Sequence, residues 1–323
     1  MKRTVTAVLA GLVATAALSA SALALDCAEG QRPIIHAAGE TCIPEQPERI
    51  VAPRGDSIAT PLIDLGAPLV GAGFQSGEDG QVFLRGASDI FGASFVDELG
   101  LATVGNPNEP DIEAIAALEP DLIILTDYQQ SIFDQAARIA PTIVVEGNLP
   151  FLEHLAFLAD AAGMQGEYES RLAAYRAKIE DLQATLGDAS AITVSRLDLW
   201  EDGLWYYPNW GAIDQVINDV GFSRPPIQAE ATENISALSF ERLPEFDADV
   251  ILSSRAPRFG QTIAMLEEQW DAAAPFWRQL PGVTAGNHYW YERDVWVGYT
   301  FKSLEAAADG LLLLTAGRFD GAE

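Results

Sequence analysis

The stretch Gly55-Asp56-Ser57-Ile58 follows a short apolar run. A Gly-Asp-Ser at a strand end is one place where an esterase holds its nucleophile. That chemistry needs a histidine base oriented by a carboxylate. Three histidines are present, His36, His154 and His288, and the residues three places before them are Pro33, Phe151 and Ala285. There is no Asp-x-x-His pair and no Gly-x-Ser-x-Gly. Ser57 reads better as the N-terminal residue of a helix. An esterase using Ser57 is kept as the rival from a different functional class.

A resident metal or cofactor is not expected. Exported zinc or manganese binders converge several histidines and carboxylates on one ion. Here His36 falls near the N-terminus, His154 near a helix start, and only His288 lies on a strand of the second half. Carboxylates are abundant, but no EF-hand spacing occurs.

Binding in a cleft is the remaining chemistry. In open parallel sheets, ligands bind beyond the carboxyl ends of the strands. Those positions fall to Arg54, Tyr128, Arg196, Arg255 and Arg258. Tryptophans and tyrosines are concentrated late in the chain, Tyr207 and Trp296 among them. Arginines with aromatic edges suit a bulky, anionic, partly aromatic or chelate ligand.

These side chains must be held by alternating strands and helices. "ERIVAP" at 48–53 and "PLVGAG" at 67–73 predict buried strands, with a helix between them closing at Gly66. Residues 76–100 are polar and Gly-rich and predict a long loop or irregular segment. Residues 112–118 predict a helix and 122–125 a strand; "SIFDQAARIA" is helical and "PTIVVE" a strand. Short continuous apolar runs between helices are the signature of parallel strands covered on both faces. Tyr168, Leu172, Tyr175, Ile179, Leu182 and Leu186 recur alternately four and three apart, one stripe on a helix of about six turns ended by Gly187. A second alternating set follows.

Part of the first half returns in the second. "NEPDIEAIAALEPDLIILTDY" at 108–128 overlays "SALSFERLPEFDADVILSSR" at 236–255, so that Glu113 meets Glu241, Asp121 meets Asp249, Ile123 meets Ile251 and Thr126 meets Ser254. So wide a repeat is no solenoid period. It predicts two similar α/β lobes with parallel sheets, joined by one long helix, with the ligand cleft between them. The expected divisions are a signal peptide at 1–24, an N-terminal disulfide loop at 25–47, a first lobe at 48–150, a helical linker with the spine helix at 151–187, and a second lobe at 188–323.

The chain has 323 residues, 49% of them hydrophobic, enough for two ordinary cores. Lys2 and Arg3, an Ala, Val and Leu-rich run at 5–18, and Ala22-Leu23-Ala24 form a secretory signal cleaved after Ala24. The product is expected in the periplasm. Cys27 lies near the cut, but the residue before it is Asp26 rather than the small residue that lipidation needs. Cys27 and Cys42 are expected to pair in an oxidising compartment. The formal charge of −28 becomes −30 once Lys2 and Arg3 are removed. Nucleic acid and anionic membranes are poor partners for such a field.

With these residues on view, the chain resembles the periplasmic binding proteins of iron–siderophore and vitamin B12 importers. The resemblance covers residues 49–314 and rests on "PERIVAPRGDSIATPLIDLGAPLVGAG", "VGNPNEPDIEAIAALEPDLIIL", "LSFERLPEFDADVILSS" and "VTAGNHYWYERDVW". It implies two lobes on a rigid helix, a monomer, and cargo passed to an inner-membrane ABC permease. The ferric-hydroxamate binders look closest: their pattern places an arginine at Arg85, a tyrosine at Tyr128 and a tryptophan at Trp296. One further tryptophan of that pattern falls near Glu233, so carboxylate or mixed chelates stay open. The resemblance implies a ferric siderophore as cargo, held by Arg85 with Arg54 or Arg255 and packed by Tyr128, Tyr207 and Trp296. Cobalamin or haem on the same fold is the alternative. The resemblance further implies that Glu113 and Glu241, one on each lobe, meet arginines of the permease.

Overall fold

The computed structural model describes residues 25–77 and 80–318; the signal peptide expected at 1–24 lies outside them. The first sheet is parallel throughout. Its strands run in the order Thr142–Val145, Leu122–Thr126, Ile50–Ala52, Leu69–Ala72 and Ala102–Thr103. Ile50, Val51, Leu122 to Leu125, Ile143 and Val144 are all inaccessible to solvent. Helices cover both faces, which is why these runs are apolar without alternation. At the end of the fourth of these strands, a Cβ on Gly73 would lie 2.0 Å from the Pro53 carbonyl oxygen, so only glycine lets the two chains pass.

The second half repeats the theme with three parallel strands, Val194–Arg196, Val250–Arg255 and His288–Glu292. Beside them lies an antiparallel set, Asp198–Trp200, Gly203–Tyr206 and Ile235–Leu238. The sequence repeat has a physical cause in the recurring aspartate. Asp121 accepts the amides of Glu48 (2.7 Å) and Arg49 (3.0 Å) at the start of the adjacent strand. Asp249 does the same for Thr193, at 2.8 Å. Each aspartate thus pins the register of two neighbouring parallel strands. The helices before them differ: Ile112–Ala117 is α-helical, whereas Phe240–Phe246 is a 3-10 helix containing Pro244.

The spine is one helix of 22 residues, Gln165–Leu186, about 33 Å long at the usual rise. Its buried stripe is Tyr175, Ile179, Leu182 and Leu186, and Tyr168 and Leu172 pack beside the same core. It lies against Gly211–Val220 and the closing helix Phe301–Thr315. Asp64, buried at the end of Thr60–Leu65, accepts from Arg171 of the spine (2.9 Å) and from the Phe301 amide that opens the last helix (2.8 Å). One carboxylate therefore ties the first lobe to both long elements.

Two segments depart from the sequence reading. Residues 25–47 are more than a loop: Gln31–His36 and Gly39–Pro44 form a hairpin, with Cys27 bonded to Cys42. Residues 76–100 carry a strand pair, Gln75–Ser76 with Val82–Phe83, and the helices Ala87–Ile90 and Ala93–Glu98. Phe83, Leu84, Ala87 and Val96 are buried there, but the two helices are only 4 and 6 residues long, too short to show a period in the sequence.

Candidate functional site

A cleft of about 1200 Å³ is lined by both lobes. From the first lobe come Arg54, just past its strand, Arg85 and Tyr128, and from the helix Phe151–Ala161 that follows it comes His154. From the second come Trp200, Tyr207, Trp210, Arg293, Asp294 and Tyr299. Four expected site residues, Arg54, Arg85, Tyr128 and Tyr207, are thus brought together.

Two others are not. Arg255 pairs with Glu292 on the adjacent strand at 3.5 Å and does not line the cleft. Trp296 stacks on Tyr291, with ring centroids 5.6 Å apart, and its six-membered ring packs on Gly310 of the last helix. It is half-buried and packs against the core, because Gly310 leaves the room that a Cβ would fill. Arg196 is wholly buried and forms an ion pair with Asp214 at 2.8 Å. Arg258 reaches across to Asp89 and the Ser88 carbonyl, joining the lobes. Glu113 and Glu241 are exposed in the first turns of their helices.

The arginines of the cleft are already paired. Asp56 accepts from Arg54 at 2.6 and 3.1 Å, and Arg85 Nη1 lies 3.3 Å from the same carboxylate. Arg85 Nη2 and Nε reach Asp294 at 3.0 and 3.1 Å, and Arg293 Nε lies 3.4 Å from it. Burial opposes the Arg85 charge, but Asp294 and Asp56 outweigh it and raise its pKa above the ordinary arginine value. These counter-ions are what sequence reasoning missed. Asp56 was visible two residues after Arg54, but Asp294 meets Arg85 only through the fold.

Aromatic rings form the opposite wall. Trp200, Tyr207 and Trp210 line it, and Trp205, which does not line the cleft, links Trp200 to Tyr207; centroid distances along Trp200, Trp205, Tyr207 and Trp210 are 6.5, 5.7 and 5.0 Å. The loop carrying the last two is held from behind. Arg196 donates to the Tyr207 carbonyl, and Asp214 accepts the Trp210 amide at 2.9 Å. Burial alone would favour a neutral Asp214, but Arg196 and Arg224 lower its pKa and keep it charged. On the floor, Tyr299 stacks on Phe151 at 5.3 Å, and burial pushes its phenol up to about 12.

His154 Nε2 lies 2.7 Å from the carbonyl oxygen of Ser57. Burial lowers its pKa and keeps the imidazole neutral. Its hydrogen bond goes to main chain, not to the serine hydroxyl, so the pair is no nucleophile and base. Among the described residues no cluster of three or more His, Cys, Asp or Glu side chains could hold a metal ion.

Known proteins share this build. Over 282 residues the chain is 30% identical to the probable siderophore-binding lipoprotein YfiY of Bacillus subtilis, covering 82% of this chain and 81% of that one. It is 26% identical over 284 residues to the Fe(3+)-citrate-binding protein YfmC of the same organism, covering 85% and 82%. Among solved structures, Staphylococcus aureus SirA complexed with staphyloferrin B superposes with a TM-score of 0.71 at 23% identity, over 87% of this chain and 97% of that one. The FhuD protein from S. pseudintermedius gives 0.68 at 22%, over 89% and 98%. Residues 72–289 match the periplasmic binding protein family. Two α/β lobes joined by one long helix, a cleft between them, and this match together show that the chain belongs to the periplasmic binding protein family.

Proposed function

We propose that this protein captures a ferric siderophore outside the cytoplasm and delivers it to an inner-membrane ABC permease. The observation that carries the reading is the interlobe cleft, of a size for a bulky chelate and walled by arginines and aromatic rings. The names of its relatives, siderophore-binding and ferric-citrate-binding, point the same way. The iron arrives wrapped by its chelator, so no protein ligand is required. Arg54, Tyr128 and Tyr207 touch the chelate. Arg85 acts from beneath, since all three of its guanidinium nitrogens already face carboxylates.

Export by a signal cleaved after Ala24 is part of the same proposal. Relatives are lipoproteins by name, but the Cys27 sulfur here is joined to Cys42, which leaves no thiol for an acyl chain. Glu113 and Glu241 supply the contacts to the two halves of the permease, and the protein acts as a monomer.

Purification from iron-starved cells, followed by mass spectrometry and absorbance of the released compound, tests the reading. A ferric siderophore is expected. A cobalamin or haem spectrum, or hydrolysis of a chromogenic ester lost in Ser57→Ala, overturns it.

A further inference from the structure

The cleft is not the cationic pocket that its arginines suggest. Three guanidiniums line it, Arg54, Arg85 and Arg293, against four carboxylates, Asp56, Asp127, Glu146 and Asp294. Arg85 is fully committed to Asp56 and Asp294, and Arg54 gives two of its nitrogens to Asp56. Asp127 and Glu146 are exposed at the rim and form no salt bridge among the described residues. The neutral His154 adds no compensating charge. The field of the whole chain has the same negative sign, at a formal −28.

We propose that Asp56 and Asp294 are specificity-determining residues that make this cleft select ferric chelates without net negative charge, the trishydroxamate class, over polyanionic ones. The inference rests on the siderophore reading above. Three singly charged hydroxamates balance one ferric ion, whereas three dianionic catecholates leave three negative charges in excess. A polyanion entering here meets guanidiniums already neutralised. To reach them it must displace carboxylates that are only 11% (Asp294) and 26% (Asp56) exposed and that then face it as like charges. A neutral chelate needs no such exchange. Its oxygens accept from Arg54 Nη1 and the free edge of Arg293, its arms lie on the Trp200 to Trp210 wall, and a pendant ammonium would meet Asp127 or Glu146.

The test compares ferrioxamine B, ferric enterobactin and ferric citrate by titration of tryptophan fluorescence. The intact protein and the variants Asp56→Asn and Asp294→Asn are used, each checked for folding by thermal melting. The intact protein should bind ferrioxamine B at least tenfold more tightly than either anion. Each variant should narrow that preference about tenfold by gaining affinity for the anions. Tightest binding of an anion by the intact protein, or equal weakening of all three chelates in both variants, overturns the charge selection and leaves the siderophore reading standing. Binding of none of the three, by folded protein, overturns the siderophore reading itself.

Discussion

Arg85 and Asp294, from opposite lobes, face each other across the cleft with Nη2 3.0 Å and Nε 3.1 Å from one carboxylate oxygen. The guanidinium is 23% exposed and the carboxylate 11%. This pair contributes to stability beyond the surface range, and a double-mutant cycle measures it. Arg85→Ala should lower the unfolding free energy by about 2 kcal/mol, since it leaves the mostly buried Asp294 with only the 3.4 Å contact from Arg293, while Asp56 keeps Arg54. Combining it with Asp294→Ala should show a coupling of about 1–2 kcal/mol. Strictly additive losses in urea melts would mean that the pair does not form in solution.

Tyr128 separates binding from folding. It is 81% exposed at the cleft, with the Arg54 guanidinium 5.9 Å from its ring centroid. Tyr128→Ala should leave stability within about 0.5 kcal/mol. Affinity for the bound chelate should fall roughly tenfold, the worth of about 1.4 kcal/mol of aromatic contact. Titration of tryptophan fluorescence checks this, and unchanged affinity removes Tyr128 from the site.

Glu113 and Glu241 are exposed and equivalent in the repeat. A carboxylate in a first helical turn contributes about 0.3–1 kcal/mol whatever its further role. Reversing both, Glu113→Arg with Glu241→Arg, should leave cargo affinity near that of the parent and abolish uptake of the iron chelate by cells. Docking of this kind is salt-sensitive. Normal uptake reduces the two glutamates to helix ends.

His288 makes stability depend on pH. Its ring packs between Trp270 and Trp290, 5.2 and 4.8 Å away, and burial, with a smaller push from Arg278, lowers its pKa to about 4 from 6.5. The unfolded chain therefore binds the proton first. Stability is whole above pH 6.5 and falls as pH drops towards 4, by roughly 3 kcal/mol for this group. His36 and His154 shift in the same direction, so His288→Gln should remove only part of the slope in that window. An unchanged slope in melts between pH 7 and 4 contradicts the assignment.

Much of the frame was legible because its causes are local. Strands covered on both faces write themselves as unbroken apolar runs, and the Tyr175 to Leu186 stripe follows from one covered helix face. Even the Asp121 and Asp249 anchors showed in the repeat, although their role as register pins needed the partner strand. The site was legible where position along a strand decides it, as for Arg54 and Tyr128. It was not legible where a distant partner decides. Arg255 is taken by Glu292 through strand register, Trp296 by the gap at Gly310, and Arg85 by Asp294, 209 residues away. A strand-end rule gives the address of a side chain but not its counter-ion.

The Asp64 clamp has a consequence for how fast cargo comes and goes. It holds both Arg171 of the spine and the first amide of the closing helix, so wide opening between the first lobe and these helices would have to break both bonds. A cleft that does not have to swing shut admits its cargo through a standing mouth. Association should then run near the ordinary rate for a preformed pocket, and differences among cargoes should appear as residence times rather than arrival rates.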